Sequence, residues 1–233
     1  MNQAAMDYLT ADPLQNAPLL SALRRGTGVV LSASAGGVLL WDRRGEIHML
    51  SAAHRAAAKA LLGELETCRV MMLCQHQLAD IPAKKYRLQI GSPCRQVVYT
   101  GSPLPLDRQL DIRIATEREL DRISATYDLA DRAELEDLAQ RGDLFCGFAG
   151  DRFVGYVGRH QEGSVGLLQV FPEYRRQGYG QQLECFMVNR VLAQGEVPYG
   201  QVFVDNQRSL RLQEKLGWQF AEQWICWLFP QGD

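Results

Sequence analysis

One connection constrains this chain more than any other feature. The stretch "VFPEYRRQGYGQQL", Val170 to Leu183, sets two arginines and two glycines between a strand-like run, "SVGLLQVF", and a helix-like run, "GQQLECFMVNRVLAQG". Leu183, Phe186, Met187 and Val191 share one face of that helix, and Gly195 closes it. A helix start exposes backbone N–H groups that lack partners within the helix, and the macrodipole adds about half a positive charge there. Gly178 and Gly180 clear side chains from the path of an anion, while Arg175 and Arg176 supply attraction and forked donors suited to phosphate. The composition is that of a diphosphate cradle; a solvated loop with turn-forming glycines is the alternative on these residues alone. A P-loop would need a lysine followed by a hydroxyl, and a dinucleotide fingerprint would need a small residue where Leu183 stands, so both fail.

The rest of the chain reads as alternating strands and helices, a mixed α/β pattern. "TGSPLPLDRQL", Thr100 to Leu110, is broken by Gly101, Pro103 and Pro105 and is the natural boundary, giving segments 1–104 and 105–233. In the first, "GVVLSASAGGVLLWD" and "GEIHML" alternate as strands, and "SAAHRAAAKALLGELE" is a helix with Ser51 as its expected N-cap. "RVMMLCQ" and "CRQVVYTG" are further strands, and "QLADIPAKKYRL" is ambiguous around Pro82. In the second, Thr116 and Glu119 have capping-box spacing, and Leu120, Ile123 and Tyr127 form an apolar stripe. A helix ending at Gly142, strands about a Gly150-Asp151 turn, "SVGLLQVF", the helix above, "GQVFV", "NQRSLRLQEKLG" and a strand in "QWICWLF" complete it. The two segments share this rhythm, so an internal duplication is open. The first goes from "IHML" to "SAAH" with no arginine-glycine loop.

Composition narrows the function classes. With 233 residues and a net charge of −2, nothing points overall to nucleic acid or an anionic membrane surface. Cys68, Cys74, Cys94, Cys146, Cys185 and Cys226 contain no CxxC pair and sit largely in apolar runs, as reduced core thiols of a cytoplasmic protein do. No signal-peptide pattern or membrane-length apolar run is present, and His48, His54, His76 and His160 lack metal-ligand spacing, so no metal site is expected. Trp218, Trp224 and Trp227 read as core or subunit-interface residues, and Cys226 as a structural thiol.

At Arg175-Arg176-Gln177-Gly178-Tyr179-Gly180 the sequence resembles the GNAT superfamily of N-acetyltransferases, whose signature Q/R-x-x-G-x-G/A lies between a strand and a helix. The lead-in "LLQVFPEYR" matches too, as does "VFVDNQRSLRLQEKLGWQF", with Asn206, Ser209, Leu212, Lys215-Leu216-Gly217 and Trp218 at family spacings. The similarity spans roughly 111–229 and looks closest to the glycine N-acyltransferase-like branch. It implies a GNAT fold, a central mixed β-sheet splayed between two parallel strands and flanked by helices, with residues 105–233 catalytic and 1–104 a degenerate GNAT-like or scaffold domain. It implies acetyl-CoA or another acyl-CoA as co-substrate and a small-molecule or peptide amine as acceptor. Arg175, Arg176, Gln177, Gly178, Tyr179 and Gly180 would hold the pyrophosphate, the backbone of Leu168 and Val170 the pantetheine arm, and Asn206 and Ser209 would lie near the arm or the sulfur. Asn206 serves equally as an N-cap.

For the reaction, the resemblance implies direct attack of a neutral amine on the thioester, with the Val170 backbone N–H as oxyanion donor. Ser164 occupies the place where some relatives carry a glutamate. Glu162, two residues away, and His160 are the nearby candidates for the base, although "RHQEGS" also reads as an exposed turn. Gln213 stands where many relatives carry a proton-donating tyrosine, so the thiolate leaves unassisted or another group serves. A non-catalytic coenzyme A-binding or regulatory module is the alternative to an N-acyltransferase.

Overall fold

The computed structural model describes residues 2–106 and 110–231; residues 107–109 of the expected linker lie outside the described residues. In chain order the elements are α1 (Gln3–Ala11), α2 (Ala17–Arg24), β1 (Gly28–Ser34), β2 (Gly37–Asp42), β3 (Ile47–Ala52), α3 (Arg55–Leu61), β4 (Met71–Leu73), α4 (Asp80–Tyr86), β5 (Leu88–Ile90) and β6 (Cys94–Val98). They continue with β7 (Asp111–Ile114), α5 (Glu117–Ser124), α6 (Arg132–Gln140), β8 (Leu144–Ala149), β9 (Arg152–Arg159), β10 (Val165–Val170), α7 (Tyr179–Ala193), β11 (Tyr199–Phe203), α8 (Gln207–Leu216) and β12 (Gln219–Pro230). Two compact units result: Met1–Thr100 with Tyr199–Asp233, and Gly101–Pro198.

The first unit is built on an 8-stranded sheet ordered β1-β2-β3-β4-β12-β6-β11, with β5 paired to β12. Cys94 and the Gln96–Val98 run of β6 are buried, so this strand requires a neighbour on each edge. Both come from the end of the chain: β11 pairs Tyr199 with Val98, and β12 pairs Gln219 with Val98 and Ile225 with Cys94. A division in sequence order at 104/105 therefore differs from the units observed, because residues after 198 complete the sheet of the first. Ser51 is not a helix cap. It is in β3 opposite Val38, and its hydroxyl meets Asn16 Oδ1 at 2.6 Å. His54 caps α3 instead, its Nδ1 accepting from the Ala57 N–H at 3.2 Å. The ambiguous stretch around Pro82 is helix α4, with Pro82 in its first turn, where a missing N–H costs nothing.

The second unit holds the 4-stranded sheet β10-β9-β8-β7. Thr116 and Glu119 form the capping box of α5, as their spacing predicts. The helix stops at Ser124, the Thr126 hydroxyl lies 2.9 and 3.1 Å from the carbonyls of Arg122 and Ile123, and Tyr127 falls in the turn beyond. Leu120, Ile123, Leu135, Leu144, Tyr156 and Phe171 build the core between α5, α6 and the sheet. Helix α7 lies so close over β8 that a Cβ on Gly147 would stand 2.9 Å from Leu183 Cδ2.

All six cysteines are free thiols, five of them buried and Cys68 partly so. Burial pushes the thiols of Cys68, Cys74, Cys94 and Cys226 up to about 12. Since the thiolate is the reactive form, a disulfide reagent at pH 8 should label the folded protein at least tenfold more slowly than the same chain in denaturant, where all six react. Equal rates would refute this burial. Among the described residues no helix is long and apolar enough to cross a membrane.

Candidate functional site

The cradle lies wholly within the second unit. Gly178 is the N-cap of α7, at φ +82°, ψ −6°, and no side chain caps this helix. Its first-turn amides are therefore left to solvent or a ligand. No atom lies within 4 Å of a Cβ built on Gly178, and the nearest to one on Gly180 is Val170 Cγ2 at 3.5 Å, an ordinary contact. Packing does not require glycine at 180. What its hydrogen leaves is open space against the helix backbone.

Strand β10 leads into this turn and is irregular where it matters. Its register against β9 shifts between Gly166 and Gln169, so Leu167 and Leu168 oppose a single residue, a bulge. Leu167 is left-handed at φ +49° and Arg176 at φ +65°. Among the described residues of the unit, these are the two non-glycine positions with positive φ. Each left-handed residue costs roughly 1–2 kcal/mol. Burial of the Leu167 side chain, 2% exposed, contributes about 1.5–3 kcal/mol and holds the bulge in place. Beyond the bulge, the Phe171 N–H donates to Val154 O at 3.0 Å, so by antiparallel alternation Val170 turns its own N–H and C=O to the other edge. That carbonyl accepts from Arg175 Nε at 3.0 Å. Arg175 thus braces the loop on the strand, while Arg176, Gln177 and Gly178 are exposed. A second brace is Arg122 of α5, paired with Glu173 at 2.5 Å and lying 3.6 Å from the Phe171 ring centroid.

At the other end of β10 the turn 160–164 is not the exposed loop its letters suggest. Glu162 is 7% and Ser164 3% exposed, and the Ser164 hydroxyl donates to Glu162 Oε1. Arg159, also buried, donates from Nε to Gly163 O at 2.9 Å and pairs with Glu196, with Gln194 Oε1 at 3.1 Å. These polar groups satisfy one another, which is why the turn packs inward. His160 meets the Tyr127 hydroxyl through Nε2 at 3.3 Å. Burial raises the Tyr127 phenol well above its ordinary range, and the Glu162 charge adds to this. Glu134 of α6 is also raised, first by burial; His160 opposes the shift and Glu162 reinforces it. Tyr127, Glu134 and Gly166 carry no motif, and sequence reasoning missed them.

Asn206 and Ser209 belong to the first unit. Asn206 Oδ1 accepts from the Ser209 N–H at 3.1 Å, the N-cap of α8, and Gln213 is buried on the same helix. Among the described residues no three His, Cys, Asp or Glu side chains gather in a way that could hold a metal ion.

A family model described as FR47-like protein matches residues 147–228, which takes in β9, β10, the cradle, α7, β11, α8 and most of β12. No curated protein matches the chain. Among solved structures, a GCN5-related N-acetyltransferase from Kribbella flavida superposes with a TM-score of 0.58 at 13% identity, covering 95% of each chain. A GNAT-family acetyltransferase from Novosphingobium aromaticivorans gives 0.57 at 18% identity, over 92% of this chain and 97% of that one. A tandem GNAT protein from the clavulanic acid biosynthesis pathway gives 0.50 at 12% identity, over 94% and 88%. The chain has the GNAT fold, a mixed α/β architecture in which helices flank one mixed sheet, with β3 and β4 parallel, and one antiparallel sheet, β10-β9-β8-β7.

Proposed function

We propose that the protein is an acyl-CoA-dependent N-acyltransferase that moves acetyl from acetyl-CoA to a primary amine by direct attack in a ternary complex. The observation that carries this reading is the uncapped start of α7, with open space at Gly178 and Gly180, following a strand whose free edge carries the Val170 amide. The diphosphate would sit on the first-turn amides, with Arg176, Gln177 and Tyr179 around it. The pantetheine arm would add to the outer edge of β10 along Val170 and Leu168. Val170 is one residue from the loop, so its amide suits the arm. The thioester would reach farther back, and an amide freed at the Leu167–Leu168 bulge suits the oxyanion better than Val170 does.

The first hundred residues repeat the order of the second half of the chain: three strands β1–β3, α3, β4, α4 and β5 follow the same sequence as β8–β10, α7, β11, α8 and β12. The likeness to a tandem GNAT protein supports a duplication. The first copy would bind no acyl-CoA, because β3 and β4 are hydrogen-bonded in parallel from His48 to Leu50 and α3 is capped by His54. Kinship with the glycine N-acyltransferase-like branch, and a cytoplasmic site of action, rest on sequence resemblance and composition alone. Gln213, in the place of a proton-donating tyrosine, favours a second reading, a coenzyme A-binding module without turnover.

Calorimetry with coenzyme A, and thiol release from acetyl-CoA over a panel of amines, test both. The enzyme reading expects acceptor-dependent release; binding without release leaves the module. Replacing Arg176 and Gly178 together by alanine should weaken coenzyme A binding more than tenfold, and unchanged affinity would remove the cradle.

A further inference from the structure

The turn at the start of β10 brings together an imidazole, a phenol and two carboxylates. His160 closes the hairpin through its backbone: its N–H donates to Ser164 O and its carbonyl accepts from Gly163 N–H, both at 2.9 Å. The ring is laid across β10. A Cβ on Gly166 would stand 2.5 Å from Nε2 and 2.8 Å from Cδ2, so the imidazole occupies the side-chain space of the residue just before the bulge. From the turn after α5 the Tyr127 hydroxyl reaches Nε2 at 3.3 Å. On α6 the Glu134 carboxyl is raised by burial, with His160 opposing the shift and Glu162 of the turn, Asp131 and Asp137 reinforcing it, so these groups share one electrostatic neighbourhood. The neighbouring cation, Arg159, is directed to Glu196 and Gly163. Each of the two candidates for the base meets a hydroxyl, but Glu162 is buried in the turn, whereas His160 is only half-buried and its ring lies at Gly166, on the strand along which the thioester would arrive.

We propose that His160 is the general base of the acyl transfer and that Tyr127 is the positioning residue that fixes its ring and tautomer. This rests on the acyltransferase reading. With Tyr127 donating to Nε2, the neutral ring carries its proton on Nδ1 and keeps a lone pair on Nε2. As the amine arrives the Tyr127 hydroxyl rotates off Nε2 and frees the ring's one acceptor lone pair; the amine nitrogen bonds to the thioester carbon, the C–S bond breaks, and the nitrogen's surplus proton passes to Nε2. Coenzyme A departs as thiolate. The hydroxyl of Tyr127 then turns from donor to acceptor, and the imidazolium stands beside Glu134 and Glu162 until it returns the proton to the thiolate or to water.

The test uses the full chain, with acetyl-CoA and an amine that the panel shows to be acylated, and follows kcat and kcat/KM against pH. His160→Gln should lower kcat by about 10²–10⁴-fold and abolish the acid limb of the profile, while coenzyme A affinity stays within twofold. Tyr127→Phe should lower kcat by about tenfold and displace the limb, and melting curves show whether either variant is folded. A His160→Gln enzyme that keeps the limb and at least a third of the rate overturns the proposal and leaves the acyltransferase reading standing. Nitrogen NMR of the labelled wild-type protein reads the tautomer without turnover: Nδ1–H supports the arrangement and Nε2–H overturns it. A wild-type chain that binds coenzyme A but acylates no amine sinks the acyltransferase reading, and the base role with it.

Discussion

Replacing Gly180 with leucine should weaken coenzyme A binding by more than tenfold while shifting the melting temperature little. The two effects have separate causes. In the protein alone, the new Cβ meets only Val170 Cγ2, at 3.5 Å, and leucine suits the first turn of α7 better than glycine, by up to about 1 kcal/mol. In the complex, the same side chain fills the space through which a diphosphate must approach the helix amides, which the alanine that the GNAT signature allows at this place would leave largely open. Gly178→Ala separates strain from occlusion. At φ +82° it pays about 1–2 kcal/mol for the left-handed backbone, so it should lose stability and affinity together. Calorimetry and thermal melts of the two variants decide the matter. A leucine at 180 that binds coenzyme A as well as wild type means that the open space holds no ligand.

The strand, loop and uncapped helix start proposed as the cradle are legible in the sequence because everything that makes them is contiguous. Six residues carry the loop, and the α7 face that seats the helix repeats at helical spacing, so local chemistry was enough. The sheet of the first unit was not legible in the same way. Strand β6 draws both neighbours from more than a hundred residues downstream, and a five-residue strand such as CRQVV carries no signal of what it lies beside. Helix limits failed where side chains overrode periodicity. Tyr127 continues the stripe of Leu120 and Ile123, yet α5 ends at Ser124 and the phenol, in the turn beyond, reaches His160. His54 was passed over as a cap because an imidazole stands outside the usual set of serine, threonine, aspartate and asparagine. In "RHQEGS" polarity was read as exposure. Buried groups that bond one another, as Arg159, Glu162 and Ser164 do, have the same letters as groups that bond water.

Gly155→Ala should be the most damaging single methyl in the second unit. Gly155 of β9 stands opposite Val170, and a Cβ there would lie 2.3 Å from Gln169 O and 3.0 Å from Val170 Cα. Both are backbone atoms, so no rotamer relieves the clash and the strands must part. The parting would disturb the Gln169–Tyr156 pair and the Phe171 N–H bond to Val154. A cost of about 3 kcal/mol, the upper end of ordinary overpacking, corresponds to a fall in Tm of about 6–12 °C for a chain of this size. Gly150→Ala, at the tip of the β8–β9 turn, is the control. It is strained by φ +61° but has nothing within 4 Å, so it should cost only about 1 kcal/mol. A Gly155→Ala protein that melts within 2 °C of the control, roughly half a kcal/mol by the same conversion, would show that β9 and β10 do not approach so closely. Because the Val170 edge and the cradle both hang on that approach, whatever folded protein survives should also bind coenzyme A more weakly, linking a glycine that touches no ligand to the site it shapes.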